Sequence, residues 1–126
     1  MLEGKTVLIT GGSRGIGAST AVMAAQRGAN VFINYRTNDD AARSVVDACR
    51  SYGVGADAMA GNIGSEQDVL ALFGACTDAF GQPGVLVNNA GILHKLERLE
   101  NFSVDRLNEV VNVNIVGAFL CAREAV

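Results

Sequence analysis

The sequence predicts an α/β protein with a Rossmann-type doubly wound parallel sheet of about four strands and flanking helices. Three observations predict this fold. Short apolar runs alternate with longer segments of helical periodicity. The apolar runs are continuous, as expected of strands that are covered on both faces. Glycine accounts for 15 of the 126 residues and collects between these segments. Residues 1–126 are therefore interpreted as one domain.

Two strands and two helices are predicted in the first half of the chain. Thr6–Thr10 forms the first strand and Val31–Ile33 the second. A first helix extends from Gly15 to about Gly28. Its helical spacing relates five residues: Ile16, Thr20, Met23, Ala24 and Arg27. Asn38 can cap the second helix, whose end is marked by two nearby glycines.

The second half continues the same alternation. Ala56–Ala60 is a weaker third strand, and Val85–Val87 is the fourth. Ser65, with Asp68 three residues later, begins the third helix. After an irregular stretch, Ser103 begins a last helix that continues to the end of the chain.

Composition and charge exclude several classes of function. The net charge of −3, with ten basic residues spread singly, argues against a nucleic-acid partner. No secretory signal and no apolar stretch of membrane-spanning length occurs, so we expect a cytoplasmic protein without a membrane partner. Cys49, Cys76 and Cys121 lie far apart, which predicts buried hydrophobic side chains rather than a disulfide framework or a metal site.

A glycine-rich loop, Thr10–Gly17, connects the first strand to the first helix. Ligands bind at this position in open parallel sheets. Glycines let the backbone approach a phosphate, and the first turn of the helix directs free N–H groups and a positive dipole end towards it. The loop therefore predicts a pyrophosphate-binding site.

Three interpretations of this loop compete when it is taken alone. A P-loop frame starts at Gly12, but Ala18 occupies the place of its essential lysine. The G-x-G-x-x-G pattern of dinucleotide sites has its gaps reversed here, because three residues and then one separate Gly11, Gly15 and Gly17. The third interpretation is a structural turn.

Three motifs together resemble the short-chain dehydrogenase/reductase family. They are T-G-x-x-x-G-x-G at Thr10–Gly17, Asn88–Gly91 at the end of the fourth strand, and Asn114 within the following helix. Each motif has the expected place in the order of strands and helices. The resemblance covers essentially the whole chain, which would be the N-terminal half of a longer domain. Within the family, the chain resembles members of the 3-oxoacyl-ACP reductase and glucose 1-dehydrogenase type.

The resemblance implies which residues contact a dinucleotide cofactor. They come from four segments: Gly11, Ser13, Arg14, Gly15, Ile16 and Gly17; Tyr35 and Arg36; Asn62 and Ile63; Asn89, Ala90 and Gly91. Asn88 is expected to support the sheet instead. At Asn62 the family often has an aspartate that binds the adenine amine. An amide oxygen can also accept that hydrogen bond, and capping of its own loop is the alternative role of Asn62.

The end of the second strand favours NADP over NAD. An NAD site normally has an acidic residue there, whereas the first carboxylate after this strand is Asp39, which belongs to the next helix. Arg36 could bind a 2′-phosphate through charge-assisted hydrogen bonds, with Arg14 on its other side. The alternative is that both arginines are solvated surface charges.

Asn114 is the predicted catalytic residue within this chain. It interrupts an apolar stripe of the last helix: Leu107, Val111, Asn114, Ala118, Cys121 and Ala125. We expect a buried amide that needs hydrogen-bond partners. The family's matching asparagine holds a water that links the catalytic lysine to solvent. A structural core amide is the alternative.

The family's proton donor is a tyrosine four residues before a lysine, with a serine upstream, and this chain has no such pair. Tyr35 and Tyr52 are followed at that spacing by Asp39 and Ala56. His94 is a weak candidate for the substrate cleft. In the family the fourth strand pairs with a fifth, so Val85–Val87 is expected to be an exposed edge. We therefore expect an incomplete fold and a truncated chain that is inactive alone.

These observations predict part of an NADP-dependent oxidoreductase that transfers hydride between the nicotinamide and a small carbonyl or alcohol substrate. The resemblance also implies a homo-oligomer, either a dimer or a tetramer. The alternative function is a non-catalytic dinucleotide-binding module that senses redox state or scaffolds a partner.

Overall fold

The computed structural model describes residues 1–126 and has an open parallel sheet with helices on both faces. The strands are β1 (Thr6–Ile9), β2 (Asn30–Tyr35), β3 (Ala56–Ala60) and β4 (Val85–Val87). The helices are α1 (Gly15–Gln26), α2 (Asp39–Arg50), α3 (Glu66–Phe80), α4 (Val104–Val111) and α5 (Gly117–Ala125). A 3-10 turn (Leu99–Asn101) precedes α4, and a π-helical turn (Asn112–Val116) joins α4 to α5. The predicted fold class is confirmed.

The strand order is β3-β2-β1-β4, and all neighbours are parallel. Leu8 in β1 is in register with Phe32 in β2 and Leu86 in β4. β4 is an edge strand, as expected from the sequence. Because the strands are parallel, all four carboxyl ends lie at one edge of the sheet, where the connecting loops meet.

The core consists of one apolar layer on each face of the sheet. Val7 and Ile9 pack with the buried faces of α1 and α2. Leu8, which points to the opposite face, packs with Phe32 and with residues of α3 and α5. Cys49, Cys76 and Cys121 are buried and free, and burial raises the pKa of Cys76 and of Cys121 to about 11. The prediction that the cysteines are buried is confirmed. No helix has the length and apolarity needed to cross a bilayer.

Three helices begin at the caps that the sequence predicts. Asn38 accepts a hydrogen bond from the Ala41 N–H at 3.0 Å, at the start of α2. Ser65 accepts one from the Asp68 N–H at 3.3 Å, at the start of α3. Ser103 does the same for α4. Such caps satisfy N–H groups that have no partner within the helix.

The residues whose spacing predicted the first helix mark its buried face only in part, since Ala24 is buried but the larger residues are not. Ile16 and Met23 are 78% and 51% exposed, and the buried residues are instead small: Gly17, Ala21, Ala24 and Ala25. Small side chains allow α1 to lie close to the sheet directly after the short glycine-rich loop. Periodicity alone favoured the larger residues, which this close approach excludes from the interface.

The predicted stripe of the last helix is also wrong in part. Leu107, Val111 and Asn114 are exposed, whereas Val113, Gly117 and Cys121 are buried. The π-helical turn is the physical reason, because its wider i→i+5 hydrogen bonding changes which face meets the sheet. The straight α-helical period assumed from the sequence does not hold across it.

Candidate functional site

An open cleft of about 370 Å³ lies at the carboxyl edge of the sheet. The loops that follow all four strands contribute to it. Its lining comprises Gly11, Ser13, Arg14, Gly15, Ile16, Asn34, Tyr35, Arg36, Thr37, Asn38, Gly61, Ile63, Asn89, Ala90, Gly91 and Ile92. Eleven of the thirteen cofactor-binding residues expected from the sequence are among them; Gly17 and Asn62 are not.

The glycine-rich loop has a shape that only glycine permits. Gly11 and Gly15 have φ values of +63° and +57°, in the left-handed region. Gly17 does not line the cleft, but it has no room for a side chain. A Cβ there would overlap the Gly11 carbonyl oxygen and lie 2.6 Å from Asn89 Nδ2. Gly17 therefore lets α1 start directly beneath the loop.

The N-terminus of α1 has no cap from the protein. Its N-cap residue, Arg14, makes no side-chain hydrogen bond, and the first turn contains no acidic residue. The N–H groups of Gly15, Ile16 and Gly17 find no acceptor in the chain. These N–H groups and the positive end of the helix dipole can bind an anion in the cleft.

Asn89 holds the glycine-rich loop from the β4 side. Its Nδ2 donates to the carbonyl oxygens of Thr10 and Gly11, both at 3.0 Å. The buried Thr10 hydroxyl in turn accepts hydrogen bonds from the N–H groups of Asn89 and Ala90. The side chain of Asn88 donates to the Ala118 carbonyl, on α5. Asn89 thus positions the loop, and Asn88 connects the end of β4 to a helix.

Asn34 holds the same loop from the β2 side, a role that the sequence analysis missed. It is only 4% exposed. Its Oδ1 accepts from the Gly11 N–H at 3.2 Å, and its Nδ2 donates to the Gly61 carbonyl at 3.1 Å. Its own carbonyl accepts from the Gly12 N–H at 2.8 Å. The available signal was a polar residue that continues a buried apolar strand, since such a group must find partners. Four other lining residues were also missed: Thr37, Asn38, Gly61 and Ile92.

Arg14 and Arg36 are the only charged residues in the lining. Both are exposed, and neither forms an ion pair or side-chain hydrogen bond within the chain. Asp39 is the first residue of α2, as predicted, and stays outside the lining. It accepts a 2.6 Å hydrogen bond from the Tyr35 hydroxyl, which raises the pKa of Tyr35. The cleft is therefore cationic.

The loop after β3 uses Asn62 internally. Asn62 Oδ1 accepts from the Gly64 N–H at 2.9 Å, while its own N–H donates to Asp68 at 2.8 Å. These contacts match the loop-capping alternative. Ile63 lines the cleft and is buried. The apolar surface on this side therefore comes from Ile63, and the Asn62 oxygen already has a partner.

Asn114 is exposed, so its predicted burial is wrong. Both the oxygen and the nitrogen of its amide nevertheless form hydrogen bonds with one residue of the loop after β4. Oδ1 accepts from the Ile92 N–H at 2.7 Å, and Nδ2 donates to the Ile92 carbonyl at 3.0 Å. His94 lies outside the cleft lining, with Nε2 3.2 Å from Glu109 Oε2. Asn114 therefore holds the loop after β4 in place at Ile92, the last residue along the chain that lines the cleft.

Comparison with known proteins shows what this chain is similar to. The family model described as short chain dehydrogenase matches residues 5–126. The uncharacterized oxidoreductase YgfF of Escherichia coli is 44% identical over 120 residues, which cover 94% of this chain and 48% of that protein. The chain thus spans about half the length of the curated relatives it matches.

Two solved structures illustrate the similarity in three dimensions. A short chain dehydrogenase from Burkholderia cenocepacia in complex with NADP has a TM-score of 0.94 and 35% identity, over 98% of this chain and 50% of that one. An NAD⁺-bound xylitol dehydrogenase has a TM-score of 0.90 and 27% identity, over 98% of this chain and 47% of that one. Both cofactors therefore occur among proteins of this fold.

Proposed function

Because this chain belongs to the short-chain dehydrogenase family, we propose that it supplies the NADP-binding half of an oxidoreductase acting on a small carbonyl or alcohol compound. The observation that carries the choice of NADP is the charge of the cleft. Two arginines without carboxylate partners line it, and no acidic residue does. An anionic ligand is therefore attracted both by the glycine-rich loop, which contains Arg14, and by Arg36 directly after β2.

The residues present fit the parts of NADP. The uncapped N-terminus of α1 suits the pyrophosphate, because its free N–H groups need acceptors. Arg36, directly after β2, would bind the 2′-phosphate with Arg14 on the other side. Ile63 and the backbone of Gly61 offer a partly apolar surface for the adenine. When bound, the nicotinamide supplies the hydride that a carbonyl carbon accepts.

NAD is the competing cofactor within the same proposal. Proteins of this fold that select NAD use an acidic residue at the end of the second strand to bind the ribose hydroxyls. Tyr35 is the last residue of β2 here, and the nearby Asp39 carboxylate is already paired with its hydroxyl. Arg36 follows immediately. This arrangement favours the phosphorylated cofactor.

Asn114 is proposed to act in catalysis by holding the loop after β4 where the nicotinamide end of the cofactor would lie. A homo-oligomer and a cytoplasmic location belong to the proposal as well. Val111, Ile115 and Phe119 are exposed apolar side chains at a spacing of four residues along the last helix. Such a stripe supports self-association.

Replacement of Arg36 by Asp tests the choice of cofactor. We expect NADPH to bind about tenfold more weakly or worse, because a charged hydrogen bond of about 1.5–3 kcal/mol is lost. NADH binding should change little. Lys5→Asp is the control, because it makes the same change of charge at an exposed position before β1. Fluorescence titration of both cofactors measures the effect. An unchanged ratio of NADPH to NADH affinity would show that Arg36 does not bind the 2′-phosphate.

A further inference from the structure

The π-helical turn Asn112–Val116 contacts both loops that frame one end of the cleft. Asn112 Nδ2 donates to the Gly64 carbonyl at 3.1 Å, in the loop after β3. Asn114, two residues later, binds both backbone groups of Ile92, in the loop after β4. Ile92 and the neighbour of Gly64, Ile63, line the cleft. One helical turn therefore connects two separate walls of the site.

The turn also fits closely against the loop after β3. A Cβ on Gly64 would overlap the Asn112 side chain, and a Cβ on Gly117 would lie 2.9 Å from Ile63 Cγ1. Val113, which lies between these contacts, is buried in the same apolar cluster as Ile63. The loop has little space in which to shift without moving the turn. A displacement of one element is thus transmitted to the other.

Contact with two different loops requires that the side chains of Asn112 and Asn114 leave the helical turn in different directions. Residues two apart in a helix do not face each other, so Asn112 and Asn114 can reach different loops. π-helical turns are rare and occur frequently at functional sites. Here the turn begins at Asn112 itself, and it places Val113 rather than Asn114 in the core.

We propose that this turn is a bracket that sets the distance between the two loops, and that Asn112 is a positioning residue for cofactor binding. The inference rests on the proposed function for its consequence, since the cleft that the bracket shapes is the one assigned to NADP. Loss of the Asn112 amide would free Gly64, let the wall that contains Ile63 relax, and loosen the hold of Asn114 on Ile92.

Asn112→Ala, Asn114→Ala and the double variant test the bracket, with Asn108→Ala as the matched control. Asn108 is exposed one turn earlier, and its side chain makes no hydrogen bond. Two quantities are measured on each chain: the dissociation constant for NADPH, and the hydrogen exchange rate of the Ile92 amide by NMR. If Asn112→Ala does not fold, Asn112→Asp keeps the side-chain volume and removes the donor.

We expect Asn112→Ala to weaken NADPH binding about fivefold, the equivalent of one hydrogen bond. Asn112→Ala should also accelerate hydrogen exchange of the Ile92 amide, which Asn112 does not contact. In the double variant, the loss of NADPH affinity should be smaller than the sum of the losses in the two single variants. The bracket would be overturned if the Ile92 amide of Asn112→Ala exchanged at the same rate as that of Asn108→Ala. It would also be overturned if the loss of NADPH affinity in the double variant were the sum of the losses in the two single variants. If the unmodified chain does not bind NADPH, the proposed function fails, and exchange at Ile92 alone still decides the bracket.

Discussion

The N-termini of α1 and α3 both follow a glycine-containing loop after a strand, yet they are completed differently. At α3, Ser65 accepts a backbone hydrogen bond, and Glu66 and Asp68 place negative charge in the first turn. At α1 the N-cap residue is Arg14, no side chain caps the turn, and no acid occurs in it. Side chains of the chain itself thus complete the N-terminus of α3, whereas the N-terminus of α1 has neither a side-chain cap nor an acidic residue and suits the ligand of the proposed function.

The glycines of the two helices differ in the same way. Gly17 in α1 is enclosed, and a side chain there would overlap the Gly11 carbonyl. Gly74 in α3 has open space around it. A glycine without a steric reason weakens a helix, whereas one that permits close backbone approach is required. The comparison separates a helix start that the chain completes by itself from one that the proposed function assigns to binding.

The largest effect is expected for Gly17→Ala. The added methyl group should destabilise the chain by about 1–3 kcal/mol through overpacking and abolish NADPH binding, because the glycine-rich loop must move. Gly74→Ala is the matched control, and we expect it to stabilise the chain by about 0.5–1 kcal/mol. Chemical denaturation and NADPH titration measure both. If the two variants changed stability and NADPH affinity to the same extent, the distinction between the two helices would be contradicted.

Arg14→Asp should have opposite effects on stability and binding. An aspartate at the N-cap of α1 would supply the missing cap and charge, which we expect to stabilise the free chain by about 0.5–1 kcal/mol. The same carboxylate would repel the pyrophosphate, so NADPH should bind at least about tenfold more weakly. Thermal unfolding with and without NADPH tests both. A variant that binds as well as the original chain would show that this N-terminus does not contact the ligand.

Ser65→Ala should have the smallest effect, and only on stability. Loss of the α3 cap costs about 1 kcal/mol, because the Asp68 N–H loses its acceptor. The NADPH dissociation constant should stay within twofold of the original value, a range of about 0.4 kcal/mol. The unfolding midpoint in urea measures the first effect and titration the second. A large loss of affinity would mean that the two helix starts are coupled.

Local signals in the sequence were sufficient for much of the fold. Short, mostly apolar runs predicted all four strands, and Ala56–Ala60 and Val85–Val87 have the predicted bounds. The caps at Asn38, Ser65 and Ser103 were predictable because capping depends on residues only three positions away. Most of the cleft lining followed from the family motifs.

Failures arose where a residue's surroundings depend on distant segments. The buried face of α1 is decided by how closely the helix approaches the sheet, which selected alanines over Ile16 and Met23. The burial predicted for Asn114 failed because the π-helical turn rotates it away from the core. Asn62 accepts a hydrogen bond from the Gly64 N–H, as in its loop-capping alternative, and its contact with a cofactor stays a prediction.

The sequence by itself determined the order of strands and helices, the glycine-rich loop and the cationic pair Arg14 and Arg36, because each depends on residue type and on neighbours along the chain. Only the tertiary structure decided how the walls of the cleft are held together. Asn34 connects two loops, and Asn112 and Asn114 connect two more through one helical turn. Those hydrogen bonds join segments that packing of the whole sheet brings within 3.2 Å of each other. No pattern along the chain encodes such pairs, since a buried or bridging amide specifies that a partner is needed but not which one.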